Sequence, residues 1–141
     1  SRLDELQAAI LLKKFSHLDD YISRRREIAA RYDDELSDSS LVLSKTDSYN
    51  DNIFYVYVVR HPKRDAIMNK LQEKDVHLNI SYPWPIHTME AYKCLGYKNG
   101  DLPNTEDMSK QIFSLPMYPT LTDEEQTYVI KSIKEILKEV G

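Results

Sequence analysis

Apolar residues recur at steps of three and four over the first part of the chain and predict one long helix, Ser1–Leu36. No Pro or Gly interrupts it, and Ser1 and Asp4 stand at the spacing of a capping box. An apolar stripe of this period is typical of a helix that is packed along its length. Its members are Ala8, Leu11, Phe15, Leu18, Ile22, Arg25, Ala29, Tyr32 and Leu36.

The N-terminal half of this helix carries a second apolar group, formed by Leu3, Leu6, Ala9, Ile10 and Leu12. Because this half is apolar on more than one side, we expect it to need a partner surface beyond the core of the domain. Arg25 lies within the apolar stripe. Its guanidinium either snorkels to the helix edge or pairs with carboxylate or carbonyl oxygens.

Shorter periodic segments after this helix predict a small sheet with helices packed on it. Ile53–Arg60 is apolar or aromatic on both faces, so it is expected to be a central strand. The other predicted strands are 41–43 and Val76–Ser81, and Phe113–Tyr118 is expected to be extended. The other predicted helices are Lys63–Asp75, Thr88–Leu95 ended by Gly96, Thr105–Ile112 capped by Asn104, and one that a Thr122–Glu125 capping box starts and that runs to about Val140. The predicted fold class is α+β: a long N-terminal helix and a small, mostly antiparallel sheet covered by helices.

The segment Ser81–His87 reads Ser-Tyr-Pro-Trp-Pro-Ile-His and joins a predicted strand to a predicted helix. Tyr82 and Trp84 each precede a proline, and a residue before proline is pushed toward extended geometry. The segment is therefore expected to be stiff and non-helical. It is either an aromatic plug over the core or one wall of a small-molecule site, with His87 reaching the ligand.

Composition bounds the function further. The 141 residues suit one domain, and the net charge of −4 argues against a nucleic-acid partner. No apolar run is long enough to span a bilayer, there is no signal-peptide pattern, and the single Cys94 fits a reducing cytoplasm. Three glycines leave no phosphate-binding glycine-rich loop. No metal site is predicted, because His77, His87 and Cys94 lack paired ligand spacing, and no catalytic residue is assigned.

Several motifs stand in the order seen in one enzyme family. They are Arg2–Ala9 (Arg-Leu-Asp-Glu-Leu-Gln-Ala-Ala), Arg25-x-x-x-Ala29-x-x-Tyr32, Tyr82-x-x-Pro85-Ile-His87, Gly96-Tyr97 followed by Leu102-Pro103-x-x-Glu106, and Ser114-Leu-Pro-Met-Tyr-Pro119 followed by Leu121-Thr122. Together they make essentially the whole chain resemble the C-terminal part of the DegT/DnrJ/EryC1/StrS aminotransferases.

The resemblance implies the small C-terminal domain of a fold-type-I, pyridoxal-phosphate-dependent enzyme. Such an enzyme moves an amino group, usually from glutamate, to a nucleotide-linked keto-sugar, and it acts as a cytoplasmic homodimer. The family's large domain carries the lysine that bonds the cofactor, and nothing in this chain resembles that domain. The chain is therefore expected to be a single-domain C-terminal fragment, residues 1–141, which binds no cofactor and does not transaminate alone.

The resemblance also implies roles for individual residues. Tyr82 and His87 are expected to form the substrate-binding wall, and Arg2 is expected at the subunit interface. Arg25 is expected to tie the long helix to the sheet, while Trp84 is interpreted as a cover of the core. The alternative function is a stand-alone, non-catalytic binding or dimerisation module of the same fold. A hydrolase that uses Cys94 and His87 is a third reading.

Overall fold

The computed structural model describes residues 4–141, and these form five α-helices, two short 3₁₀ helices and a three-stranded sheet. The N-terminal region holds two helices, α1 (Glu5–Phe15) and α2 (Leu18–Glu35). The prediction of one uninterrupted helix is therefore wrong. At the break, the Ser16 hydroxyl donates to the carbonyl of Lys13, 2.9 Å away, and the His17 N–H donates to Lys14. These bonds to the residue three positions back tighten the turn and end the α-helical ladder.

The apolar stripe of the N-terminal region is buried only in its second half. In α2, Ile28, Ala29 and Tyr32 are buried and join the core, and Leu36 follows them. None of the residues of α1 is buried. Asp4 caps α1 by accepting from the Leu6 N–H, whereas Ser1, the other member of the predicted capping box, lies outside the described residues. The apolar group for which a partner surface is predicted thus lies on α1, and the partner itself stays a prediction.

Arg25 ties α2 to the sheet, as the sequence predicted. Its Nη1 donates to the carbonyl oxygens of Phe54, Tyr55 and Met117 at 2.9, 3.0 and 3.2 Å. Phe54 and Tyr55 lie shortly before one strand, and Met117 lies shortly after another. The alternative of a guanidinium that only snorkels to the helix edge is wrong, because the guanidinium donates hydrogen bonds to three backbone carbonyl oxygens.

The sheet is antiparallel in the order β1 (Val42–Leu43), β2 (Tyr57–Arg60) and β3 (Ile112–Leu115). The central position of β2 is confirmed, but the strand is shorter than predicted, because Phe54 adopts a φ of +48° that no strand accommodates. The predicted strand Val76–Ser81 reduces to one bridge between Asn79 and Ser114.

Two helices, α3 (Arg64–Glu73) and α5 (Asp123–Val140), pack together beside the sheet. The predicted capping box is present: Thr122 Oγ1 accepts from the Glu125 N–H, and the Glu125 carboxylate accepts from the Thr122 N–H. The apolar face of α5 completes the core against α3 and α2, and burial of each large apolar side chain contributes about 1.5–3 kcal/mol. Its fully buried members are Ile130, Ile133 and Ile136.

The region between α3 and β3 is the most irregular. The predicted helix Thr88–Leu95 is replaced by two 3₁₀ helices, Ile86–Thr88 and Glu90–Leu95, and Gly96 ends the second with a φ of +81°. Helix α4 (Pro103–Gln111) begins earlier than predicted, with Leu102 rather than Asn104 at its N-cap. Pro103 explains the earlier start, because the fixed φ of proline suits the first helical position. The α+β fold class is confirmed.

Candidate functional site

An open groove of about 640 Å³ lies between the segment 81–86 and helix α4. This volume falls within the range of small-molecule sites in proteins. We call 81–86 the aromatic wall and α4 the floor. The residues that line the groove are Ser81, Tyr82, Pro83, Trp84, Pro85, Ile86, Met89, Asn104, Thr105, Met108, Ser109 and Ile112.

The aromatic wall is extended because of its two prolines, as the sequence predicted. Pro85 has φ −61° and ψ 134°, and its carbonyl accepts from both the N–H and the hydroxyl of Thr88. The wall leaves Tyr82 76% exposed and Trp84 68% exposed. The interpretation of Trp84 as a cover of the core is therefore wrong, since its indole lines the groove.

The floor presents Thr105, Met108 and Ser109, which follow the spacing of one helix face, and Ile112 at the start of β3 lines the groove beyond them. The Ser109 hydroxyl donates to the carbonyl of Glu106 at 2.8 Å. The polar side chains left to orient a ligand are those of Tyr82, Ser81, Asn104 and Thr105. The groove is thus mainly apolar, with a few polar groups at its edges.

His87 lies directly behind the wall and is only 6% exposed. Its Nε2 is 2.9 Å from Oε1 of Glu106, and the same oxygen accepts from the Gly100 N–H at 2.7 Å. Because a carboxylate can only accept, Nε2 carries the proton and donates. The His87 hydrogen bond and then the Gly100 N–H hold the pKa of Glu106 below its usual value. The edge of the imidazole meets the ring of Tyr97.

The structure thus separates the two predicted substrate-binding residues. Tyr82 lines the groove, whereas His87 does not. The Nε2 of His87 donates a hydrogen bond to Glu106 instead. A ligand contact of His87 through Nδ1 stays a prediction. Arg2, predicted at a subunit interface, lies outside the described residues. From the sequence, Glu106 stands out only as part of the Leu102-Pro103-x-x-Glu106 motif, and nothing there indicates that its carboxylate pairs with His87.

The groove does not fit a complete pyridoxal phosphate site. The cofactor's aldehyde bonds a lysine amine, and neither an amine nor a carboxylate is among the residues that line the groove. Three described lysines elsewhere hold other partners: Lys63 donates to the carbonyl of Val140, while Lys70 and Lys74 pair with carboxylates of α5. Within residues 4–141, no group of three His, Cys, Asp or Glu could hold a metal ion.

None of the helices among residues 4–141 combines the length and the apolar character needed to cross a bilayer. The family model for the DegT/DnrJ/EryC1/StrS aminotransferases matches residues 1–134. The chain belongs to this family. The matched range includes the aromatic wall and the floor of the groove.

Relatives agree with this assignment. The chain is 49% identical to a dTDP-3-amino-3,4,6-trideoxy-alpha-D-glucose transaminase of Micromonospora megalomicea subsp. nigra, over 97% of this chain and 38% of that protein. It is 40% identical to a protein of Geobacillus stearothermophilus named as a pleiotropic regulatory protein, over 98% and 38%. A crystal structure of S. venezuelae DesV in complex with a ketimine intermediate superposes with a TM-score of 0.93 at 32% identity, over 97% of this chain and 37% of that one.

The chain therefore spans well under half the length of the relatives it matches and corresponds to their C-terminal part. The resemblance drawn from the motifs is confirmed, and so is the correspondence to the C-terminal part of the family's members. The groove belongs to the portion of the architecture that this chain shares with those enzymes.

Proposed function

We propose that this chain forms one wall of the substrate cleft in a pyridoxal-phosphate-dependent aminotransferase that acts on a nucleotide-linked keto-sugar. The observation that carries the proposal is the groove with exposed Tyr82 and Trp84, found in a chain of the sugar aminotransferase family. Support for the substrate class comes from the Micromonospora relative, whose name specifies a dTDP-linked trideoxy sugar.

The chemistry of the groove suits a sugar that has lost hydroxyl groups. Aromatic faces such as Trp84 and Tyr82 present large, rigid apolar surface. A deoxygenated ring offers C–H groups to such a surface and needs few hydrogen-bond partners. Asn104 and Thr105 supply those partners at the edge of the groove, and Tyr82 adds a phenolic hydroxyl. His87 contacts the substrate from behind the wall through Nδ1.

The cofactor is held by a separate large domain, which carries the lysine that bonds it, and this chain is the single C-terminal domain, residues 1–141. Members of the family depend on pyridoxal phosphate. When bound, the cofactor carries the amino group and stabilises the negative charge that develops on carbon. The role of this chain is to bind and orient the sugar and to exclude water from one side. Glutamate is the amino donor.

The parent enzyme is a cytoplasmic homodimer. The exposed apolar residues of α1 support a partner surface there, because an apolar face of this size seldom stays in water. Arg2 stands at the same end of the chain and contributes to the subunit contact. The single Cys94 supports a reducing compartment.

The test is an assay of the full-length parent, loaded with pyridoxal phosphate, against a panel of nucleotide-linked keto-sugars. We expect turnover of at least one of them with glutamate. Trp84→Ala should raise the KM for the sugar nucleotide about tenfold, since loss of one stacking contact of this size costs about 1–1.5 kcal/mol. Consumption of glutamate in the absence of the sugar should be unchanged. The matched control is Tyr92→Ala, an exposed aromatic outside the groove.

The result against this proposal would be a cofactor-loaded parent that accepts none of the sugar nucleotides. That result would favour the alternative function, a non-catalytic binding or dimerisation module. It is favoured by the regulatory name of the Geobacillus relative and by the lack of an amine among the groove residues. The gene discriminates between the two: an upstream coding region of about 200 residues or more, the size of one large domain, favours the enzyme.

A further inference from the structure

Glu106 is the point at which three parts of the groove region meet. Its Oε1 accepts from His87, directly after the aromatic wall, and from the N–H of Gly100, in the turn before α4. Glu106 itself belongs to α4, the floor. One carboxylate oxygen therefore joins the wall, the turn and the floor.

The wall depends on this junction because it has few other attachments. Before the wall, the carbonyl of Asn79 accepts from the Ser114 N–H of β3 at 2.8 Å. After it, His87 is bound to Glu106. Across the described residues, no hydrogen bond ties 81–84 to a neighbouring element. The wall is thus a stiff strip of backbone that is fixed at its two ends.

The register of α4 separates the junction from the groove. Thr105, Met108 and Ser109 line the groove, whereas Glu106 does not. Glu106 lies about 100° around the helix from Thr105, since each residue of an α-helix turns by that angle. Its side chain is only 18% exposed, and that of His87 is 5% exposed. The junction is therefore partly shielded from water, and neither Glu106 nor His87 is among the residues that line the groove.

We propose that Glu106 is a positioning residue, which acts through His87 to hold the aromatic wall at a fixed separation from α4 and so determines how tightly the groove accepts its ligand. The proposal rests on the function proposed above only for its activity measurement, because the order of the wall can be measured without any ligand.

The first measurement uses Trp84, the only tryptophan of the chain, as a reporter inside the wall. Time-resolved fluorescence anisotropy of the purified chain, well below its melting temperature, separates fast local rotation of the indole from tumbling of the whole molecule. Glu106→Gln keeps the size of the side chain and one acceptor oxygen but removes the charge that strengthens both hydrogen bonds. We expect the amplitude of the fast component to rise about twofold, because one of the two end attachments of the wall is weakened. Glu90→Gln, at an exposed ion pair with Lys93, is the matched control.

A pair of substitutions at His87 keeps the proposal falsifiable if Glu106→Gln does not fold. His87→Gln retains an N–H donor that can reach Glu106, and it should keep the wall ordered. His87→Leu removes the donor and should loosen the wall at least as much as Glu106→Gln does. When all three variants fold, the double variant Glu106→Gln/His87→Leu should be no looser than His87→Leu alone, because both substitutions act on the same contact.

The second measurement is kinetic and uses the full-length parent enzyme. Glu106→Gln should raise the KM for the sugar nucleotide about tenfold or more, since a misplacement of about 1 Å in a site can cost up to a hundredfold. The half-reaction with the amino donor should be unchanged. If wild-type enzyme turns over no sugar nucleotide, the proposed function fails, and the anisotropy still decides the role of Glu106. A lower melting temperature with unchanged anisotropy would overturn the positioning role and leave Glu106 a purely structural residue.

Discussion

Arg25 donates from Nη1 to the carbonyl oxygen of Phe54, 2.9 Å away, and Phe54 has a φ of +48°. A phenylalanine is rarely found in this left-handed region, because its Cβ crowds the backbone. The guanidinium compensates for this strain with a charge-assisted hydrogen bond at the point where the chain enters the sheet. This contact and the Tyr57 hydroxyl, which donates to Asp33 of α2, together position β2 relative to α2.

Arg25→Ala is expected to lower the free energy of unfolding by about 2–3 kcal/mol, because it removes a charged donor and leaves carbonyl oxygens without their partner. Urea denaturation followed by circular dichroism measures this difference. The neighbouring Arg26→Ala serves as the control. Arg26 pairs with the exposed Asp51, so its removal should lower the free energy of unfolding by less than about 1 kcal/mol. Equal effects of the two substitutions would contradict the special role of Arg25.

Thr122→Ala should cost about 1 kcal/mol of stability, because the Glu125 N–H at the start of α5 loses its acceptor. Thermal unfolding of both proteins gives the difference. Thr120→Ala, in the turn two residues earlier, changes the same atoms without touching the capping box and should be nearly neutral. A neutral Thr122→Ala would mean that α5 is held by its packing alone.

The stability of the chain is expected to fall between pH 7.5 and pH 5.5 through His61. Its imidazole is buried, and burial, followed by the charge of Lys63, lowers its pKa. An unfolded histidine takes up a proton near pH 6.5, whereas the folded one stays neutral to lower pH. The unfolded state therefore binds more protons as the pH falls, and the free energy of unfolding decreases.

Urea denaturation across this pH range checks the His61 prediction. His61→Gln should flatten the pH dependence, and His77→Gln, at an exposed histidine, should retain it. The carboxylates with lowered pKa values, Glu106, Asp123 and Glu139, lose their protective charge only at more acidic pH and so do not contribute to this window. A slope that survives in His61→Gln would assign the effect to another group.

The isolated chain is expected to self-associate through α1. Leu12 and Phe15 are 75% and 72% exposed, and burial of such side chains favours association by about 1.5–3 kcal/mol each. Sedimentation velocity over a concentration series should show reversible association that Leu12→Glu weakens at least tenfold. Leu95→Glu places the same charge on an exposed leucine outside α1 and should have no effect. A strictly monomeric chain at high concentration would rule out this surface.

The sequence predicted those features that local chemistry controls. The Thr122 capping box, Gly96 at the end of its helix and the extended aromatic wall all follow from one or two neighbouring residues. The features that it missed depend on contacts across the chain. Ser16 and His17 do not forbid a helix, yet they end α1 where nothing packs on it, and Val76–Ser81 has the alternation of a strand but only one bridge to β3.

The candidate site also combines features set by neighbouring residues with features set by contacts across the chain. The stiffness of 81–86 can be predicted from its prolines, and Tyr82 lies in the groove. The position of Trp84 was misjudged, because a sequence does not tell which side of an extended strip faces the core. The His87–Glu106 contact joins residues 19 positions apart, so only the packing of α4 against the wall could reveal it.

The contacts between α2 and α5 have a consequence for synthesis of the chain on the ribosome. The Gln126 side chain donates to the carbonyl of Ile28 inside the core, and Arg24 reaches Asp123 at 2.6 Å. These contacts span almost a hundred residues, so the core cannot close until α5 has emerged from the exit tunnel. Until then the apolar faces of α2 and the sheet stay uncovered. Nascent chains that stop before Asp123 should accordingly be held by chaperones, and those that include α5 should be released.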